Sequence, residues 1–357
     1  MDRIAVDATA AITGRTGIAR YVTELVPAMR AAAPTIDVAC FAIGRGIRPT
    51  LDGTRHLRVP LRVVDRAWQI VSEPKVERLV GAVRSVHAAG SLLPPARAPI
   101  VAVVHDLAPL DHPELHPSRS VDHLRRYVEQ LDRAAAVIAV SHATAAQLAR
   151  HGVPSEKVAV VPNGTSRLPE PVAPALAGRP YVLAVGAPVP RKGLATLLEA
   201  MRLVDDDVLV AIVGPPGTDD AALERLARAS GLEQRVHRVG PVTDAELAGW
   251  YASASVLAAP SVEEGFGLTL VEAMVAGVPV VASDIAVFRE VTGGHAALVP
   301  VGEPAALSGA LTTALARPPA VIAAIGAGRQ HAEQYTWQAC AAGTLAVHHR
   351  VQRAGEP

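Results

Sequence analysis

The chain has 357 residues, enough for two domains of ordinary size. Half of the residues are hydrophobic but only 3% are aromatic, so the core must be aliphatic. Lys+Arg and Asp+Glu both total 34, a balance that argues against nucleic acid as the main partner.

The two cysteines, Cys40 and Cys340, lack metal-ligand spacing and are too few for a disulfide scaffold, which points to a reducing, cytoplasmic setting. The opening "MDRIAVDATAAITG" lacks the basic-then-apolar layout of a secretion signal. With no uncharged apolar run of about 18 residues, a membrane span is not expected.

In chain order, short β-rich runs alternate with longer helical ones. The first series of strands is expected at 3–8, 36–43, 84–89, 99–106, 135–141 and 157–163. The second is expected at 179–186, 207–214, 235–240, 255–260, 278–283 and 295–300. Most are continuous apolar runs, the pattern of strands buried on both faces of a parallel sheet. Helical patterns such as "GIARYVTELVPAMRAA" and "LATLLEAMRLV" separate them. Two such alternations predict two doubly wound α/β domains. The boundaries are placed at 1–170 and 171–336. The join lies in the proline-rich "SRLPEPVAPALAGRP" (166–180), which reads as a linker. A last helix, about 337–357, follows the second series, and the sequence alone leaves open whether it packs back on the first domain.

In such sheets ligands bind outside the carboxyl ends of the strands, so a polar group directly after a strand is a candidate. Four stretches meet that test. In "SVEEGFGLTLVEAMVAGVPVVA" (261–282), Glu264 lies in a loop after a strand and Glu272 about a turn into the next helix. The amides of Gly267, Leu268 and Thr269 open that helix and favour an anion. Carboxylates on either side suit the hydroxyls of a sugar, so the stretch fits a phosphate bound to a polyol. In "VLAVGAPVPRKGLATLLEAM", Arg191 and Lys192 follow a strand that ends at Gly186, and two cations there neutralise a diphosphate. No Walker loop is present. Gly14 and Gly17 precede the first long helix, with the spacing G-x-x-G rather than the dinucleotide fingerprint G-x-G-x-x-G. His105 and Asp106 stand where a buried strand opens into a loop. The acidic "VDDDV" (204–208) precedes a strand and reads as a solvated turn. The basic, amphipathic "HLRRYVEQLDR" (123–133) suits an anionic membrane surface, with an exposed helix face as the simpler reading.

Taken together these residues resemble the family-four retaining glycosyltransferases of the GT-B fold. The likeness rests on "EEGFGLTLVEAMVAGVPVVAS", similar to that family's Glu-x7-Glu signature. It extends through "GIARYV", "VVHDLAPLDHPE", "AAVIAVSHATAAQL", "KVAVVPNGT", "VGAPVPRKGLATLLEAM", "VGPVTDAELAGWYASASVLAAPS" and "FREVTGGHAALVP", which together run through nearly the whole chain. The resemblance implies two Rossmann-like parallel-sheet domains facing across a cleft, acceptor side first and donor side second. It implies that Glu264 holds the donor sugar's hydroxyls beside the Phe266, Gly267 and Leu268 backbone, with Thr269 in the helix start. Glu272 would take the ribose, and Arg191 and Lys192 the diphosphate. Val239, Gly240 and Leu247 would lie by the base, Gly17 near the donor phosphate, and His105 near the reacting sugar. Many relatives have a further arginine where this chain reads Ala187-Pro188, which leaves more of that work to Arg191. Where relatives often have proline, Thr269 stands.

The implied activity is a retaining hexosyl transfer, with mannose from GDP-mannose favoured, to an unidentified acceptor hydroxyl that includes lipid-linked acceptors. It would belong to the synthesis of cell-envelope polysaccharide or glycolipid. No cofactor and no metal are expected, because fixed cations stabilise the leaving diphosphate. Nor is nucleic acid expected as a partner, and membrane contact is at most peripheral, at the inner face. Two alternatives stay open: an NAD-dependent epimerase or dehydrogenase, and a non-catalytic nucleotide-sugar-binding protein.

Overall fold

The structure is a computed structural model that describes residues 2–13, 17–45, 51–90, 92–166 and 168–354. Gly14 lies outside the described residues. The chain divides into two compact units. The first comprises 1–113, 117–166 and 335–357; the second comprises 114–116 and 167–334.

The first unit is built on a seven-stranded sheet of β1 (Arg3–Asp7), β2 (Asp37–Ile43), β3 (Arg55–Leu57), β4 (Ser85–Ala88), β5 (Ile100–Val104), β6 (Ala136–Ala139) and β7 (Val158–Val160). Their order is β3-β2-β1-β4-β5-β6-β7, and every described pairing is parallel. Strands β1, β4, β5 and β6 are almost wholly buried, which explains why they read as unbroken apolar runs. Strand β3 is the exception. It is a three-residue edge strand, "RHL", with no apolar run, and the sequence pattern does not reveal it.

The second unit has a six-stranded parallel sheet of β8 (Tyr181–Val185), β9 (Leu209–Val213), β10 (Val236–Gly240), β11 (Val256–Ala259), β12 (Val280–Ser283) and β13 (Ala297–Val299). Their order is β10-β9-β8-β11-β12-β13. The core of this unit is aliphatic, with Leu197, Leu198, Met201, Val210 and Leu311 all buried against the sheet. In each sheet the order reverses beside the first strand, between β1 and β4 and between β8 and β11. Those two reversals are the points where doubly wound sheets open a crevice for a ligand.

The proline-rich stretch 166–180 differs from a free linker. Val172 donates its amide to the Ala245 carbonyl at 3.0 Å. An added Cβ on Gly249 would stand 1.7 Å from the Val172 carbonyl oxygen, so this glycine lets the segment lie flat on the Asp244–Ser253 helix. Leu176 is buried there. Prolines stiffen the segment, and its few apolar side chains give it a place to dock.

The C-terminal helix Trp337–Ala354 belongs to the first unit. Thr165 donates to the Tyr335 carbonyl at 2.9 Å, and the Trp337 indole donates to Ser166 Oγ at 3.0 Å. Deeper in, a chain of buried polar side chains joins this helix to β4 and to the long Gly17–Ala32 helix. Gln352 donates to Ser85 Oγ at 3.0 Å, and Ser85 lies 2.8 Å from His348 Nδ1. His348 Nε2 meets His87 Nδ1 at 3.2 Å, and His87 Nε2 meets Tyr21 Oη at 3.1 Å. The two facing ring nitrogens share one proton, so at most one ring can be charged. Burial disfavours even that and lowers His87 to about 3, with neighbouring His105 acting in the same direction. Burial, then His87 and His349, also hold His348 well below the usual histidine range.

These depressed values fix a pH dependence. The unfolded chain binds protons near the ordinary value of 6.5, where the folded chain does not. Stability is therefore complete above that value and falls as pH drops toward about 3. At pH 5.5, one unit below that ordinary value, each ring held neutral costs about 1.4 kcal/mol. Urea denaturation at pH 7 and pH 5.5 should show this loss in the wild type. The His87→Gln/His348→Gln chain should show a smaller difference between the two pH values, and an equal difference would rule the histidine pair out as the source.

Candidate active site

The reversal between β8 and β11 assembles the residues singled out in the second half of the sequence. After β8 the chain passes Gly186 and makes a tight 3-10 turn, Pro190–Lys192. After β11 it runs through Pro260 to Gly267, and the helix Leu268–Val275 begins. The two loops touch through backbone. Val262 donates to the Arg191 carbonyl at 2.8 Å, and Gly193 lies under the Pro260 carbonyl. Gly193 has φ +63°, and a Cβ there would stand 2.0 Å from Pro260 O. Only glycine fits both conditions.

This approach brings Glu264 between the two cations. Arg191 Nη1 lies 2.9 Å from Glu264 Oε2, and Lys192 Nζ lies 2.6 Å from Oε1. Ser261 Oγ donates to Oε1 at 3.2 Å, and Arg191 also donates to the Glu263 carbonyl at 3.3 Å. The Glu264 side chain is only 12% exposed. Burial alone would raise its carboxyl, but the Lys192 ammonium and the Arg191 guanidinium outweigh it and pull the group down to about 2. Glu264 is thus a carboxylate at any physiological pH, a strong acceptor for hydroxyl donors. Lys192, Gly186, Pro260, Ser261 and Thr269 line one small cleft at this edge.

The helix behind it starts from Gly267, whose φ is +94°; a Cβ there would press the Phe288 ring at 2.9 Å. Leu268 and Thr269 lie in the first turn, where amides have no helical carbonyl ahead of them and the helix dipole favours an anion. Glu272 follows on the same helix and is 4% exposed. The Tyr251 hydroxyl donates to Glu272 Oε2 at 2.8 Å and fixes the carboxylate's direction. Tyr251 and Ser261 escape the sequence reading. Ser261 heads the 261–282 stretch just after β11 and Tyr251 lies on the Asp244–Ser253 helix, and each matters through the carboxylate it meets in space.

The other donor-side candidates lie along the same edge. Gly186 donates to the Val213 carbonyl at 2.8 Å, and Gly214 donates to the Gly240 carbonyl at 2.9 Å, so the ends of β8, β9 and β10 form one row. Val239 and Gly240 close β10 at its carboxyl end. Leu247 is buried in the helix that follows. Phe266 is buried in the loop before Gly267.

In the first unit, His105 stands just past β5, and its Nε2 lies 2.9 Å from the Ala89 carbonyl, which follows β4. Tyr21 packs edgewise on it, with ring centroids 4.8 Å apart. Burial lowers the His105 pKa, against the opposing effects of the Ala89 bond and Asp106. Asp106 Oδ1 accepts from the Ala108 amide at 3.2 Å, so it caps its own loop. Gly17 opens the long helix at the reversal beside β1, with open space around its α-carbon.

Substituting Gly193 by Ala should destabilise the second unit. The left-handed backbone costs about 1–2 kcal/mol, and the Pro260 clash adds to it. A fall in melting temperature is expected; an unchanged melt would show that the two loops need no such close approach.

Comparison with known proteins agrees with this architecture. The profile described as "Glycosyltransferase Family 4" matches residues 15–167, and "Glycosyl transferases group 1" matches residues 179–317. A D-inositol 3-phosphate glycosyltransferase of Jonesia denitrificans is 30% identical over 72% of this chain and 67% of its own length. A phosphatidyl-myo-inositol mannosyltransferase of Mycobacterium leprae is 38% identical over 55% of this chain, and the match spans about half, 54%, of that relative. Among solved structures, sucrose-phosphate synthase of Thermosynechococcus elongatus superposes with a TM-score of 0.80 at 22% identity, covering 99% of this chain and 100% of that one. Two doubly wound parallel domains of this kind are the GT-B architecture. With both halves matched, the chain belongs to glycosyltransferase family 4.

Proposed function

We propose that the chain is a retaining hexosyltransferase that moves a hexose from a nucleotide sugar to an acceptor hydroxyl. GDP-mannose is the favoured donor. The proposed setting is cell-envelope polysaccharide or glycolipid synthesis on the cytoplasmic side. The observation that supports it is the cluster of Arg191, Lys192 and Glu264 next to the first turn of the Leu268–Val275 helix. It offers cations and amides for a diphosphate, and a carboxylate for the sugar's hydroxyls. A mannosyltransferase among the relatives supports the choice of sugar. Inositol-based acceptors in the names of two relatives make a polyol hydroxyl the first acceptor to test.

In the proposed reaction, the bond between the anomeric carbon and the donor phosphate oxygen breaks as the acceptor oxygen forms its bond on the same face. Negative charge grows on the leaving diphosphate. Lys192 and Arg191, already fixed by Glu264, meet it without waiting for solvent to rearrange. Their attraction to Glu264 is shared with the arriving phosphate, so the carboxylate is released to accept from sugar hydroxyls. Glu272, aimed by Tyr251, takes the ribose hydroxyls. Burial lowers the His105 pKa, so this reading gives His105 the role of a neutral hydrogen-bond partner rather than a further cation. With two fixed cations for the leaving group, transfer needs no metal and should survive EDTA.

A thermal-shift panel of GDP-mannose, UDP-glucose and UDP-N-acetylglucosamine tests the donor, because binding to the folded state raises the melting temperature. NMR of the product's anomeric proton tests retention. Lys192→Ala should cut turnover by roughly 10²–10³, about 2.7–4 kcal/mol, with a smaller effect on donor affinity. Glu272→Ala should chiefly raise the donor KM. Full turnover in Lys192→Ala would overturn the diphosphate assignment.

A further inference from the structure

The first sheet has its own reversal, between β1 and β4, and a carboxyl group that the transfer reaction leaves unused stands there. Asp7 is the last residue of β1 and is 5% exposed. Its Oδ1 accepts from the Thr9 amide at 2.9 Å, and the Thr9 hydroxyl donates to the same carboxyl group. Thr9 Oγ1 in turn accepts from the Ile43 amide at 3.1 Å, and Ala8 donates to the Phe41 carbonyl at 2.7 Å. The end of β1 is thus tied to the end of β2, and backbone on both strands sets the direction of the carboxyl group.

A turn cap does not account for a carboxylic acid at this place. Asparagine or serine caps as well as aspartate and brings no charge to bury. Among the described residues no cation pairs with Asp7, and burial raises its pKa against the two Thr9 bonds. Its second oxygen, Oδ2, faces Gly90, a half-buried residue just past β4. A Cβ on Gly90 would stand 3.6 Å from Oδ2, so the glycine keeps that side of the oxygen open. The residue before it, Ala89, holds His105 through its carbonyl. Asp7, Gly90 and His105 therefore stand at the carboxyl ends of three adjacent strands, β1, β4 and β5.

We propose that Asp7 binds the acceptor: its Oδ2 takes a hydroxyl of a polyol that lies over Gly90 at the β1–β4 reversal, beside His105. Calling that polyol the acceptor rests on the transferase reading; the affinity of the site for a polyol does not. A hydroxyl suits this carboxyl group because it both donates and accepts, and so pairs with the acid as well as with its anion. An ammonium group pairs with the anion alone, and a phosphate meets the anion as a like charge. The place itself is one where doubly wound sheets take ligands.

The test is a titration of the full chain with myo-inositol and with methyl α-mannoside, read by saturation-transfer NMR. The wild type is expected to bind at least one of them. Asp7→Ser keeps an oxygen to cap the Thr9 amide but leaves none for a ligand. Gly90→Ala keeps Asp7 and sets a methyl group against Oδ2 in ordinary contact, so its melting temperature should stay that of the wild type. Each variant should weaken polyol binding about tenfold, the loss of one hydrogen bond to a carboxyl group. Both should keep the wild-type thermal shift with nucleotide sugar, and in a transfer assay both should raise the acceptor KM more than they lower kcat. The proposal is overturned if the wild type binds neither polyol, or if either variant binds as tightly as the wild type. Polyol binding that depends on Asp7 and Gly90, without any shift by a nucleotide sugar, would support this site and sink the transferase reading instead.

Discussion

The ion-pair cluster of Glu264 with Arg191 and Lys192 is the contact on which the second unit's site depends. A doubly wound sheet leaves a crevice where its strand order reverses, because the loops after the two central strands turn away from one another. Here the loops after β8 and β11 are drawn back together by opposite charges 2.6 and 2.9 Å apart and by the backbone contact of Gly193 with Pro260. Removing Glu264 from this cluster leaves two cations side by side without their carboxylate, at a cost of about 3–5 kcal/mol, whereas removing one cation leaves a balanced pair. The same charges that a phosphate and a sugar would meet are therefore the ones that hold the loops. Positioning and chemistry are not separable at this edge.

The first unit uses a different device. Its buried polar groups are neutral and joined by hydrogen bonds, from Gln352 through Ser85, His348 and His87 to Tyr21. Tyr21 then packs on the His105 ring, and Ala89 holds the far side of that ring. The orientation of His105 thus rests on a helix more than two hundred residues away in sequence, through Tyr21 and the histidine pair. A neutral chain of this kind holds shape without a counter-ion, at the cost of sensitivity to acid. The charged cluster around Glu264, with its carboxyl near 2, keeps its state throughout the range in which the histidines respond.

Much of this was legible in the sequence because parallel strands buried on both faces are unbroken apolar runs. Twelve of the thirteen strands among the described residues fall where the sequence predicts them, most as apolar runs, and the polar groups after β5, β8 and β11 follow from it. What stayed hidden has a common cause. Strand β3 is held by edge pairing with β2 rather than by burial of an apolar run, so "RHL" carries no signal. The 166–180 stretch has the composition of a linker, but its docking depends on one glycine, Gly249, in a helix that lies far along the chain. The Glu-x7-Glu spacing marks Glu264 and Glu272, yet the identity of their partners is tertiary. Arg191 lies 73 positions from Glu264, and Tyr251 reaches Glu272 from another helix.

The residues that stand out most in the sequence are also the least selective. A diphosphate, a ribose and a ring of hydroxyls are common to all nucleotide sugars, and Arg191, Lys192, Glu264 and Glu272 are suited to those shared parts. Under the proposed function, choice of base rests on what lies further along the carboxyl edge, at β9 and β10. There the row is bare backbone at Gly186, Gly214 and Gly240. Arg238 occupies carbonyls of Ile212, Gly214 and Pro215 at 3.0, 3.1 and 2.7 Å, while Asp220 neutralises it. Arg238 is thus committed to shaping the edge and is a poor reader of a base. If Val239 and Leu247 lie by the base, as proposed, discrimination falls to shape and to whichever backbone groups Arg238 leaves open. On that proposal the edge would distinguish a purine from a pyrimidine by size more readily than two purines by hydrogen bonding.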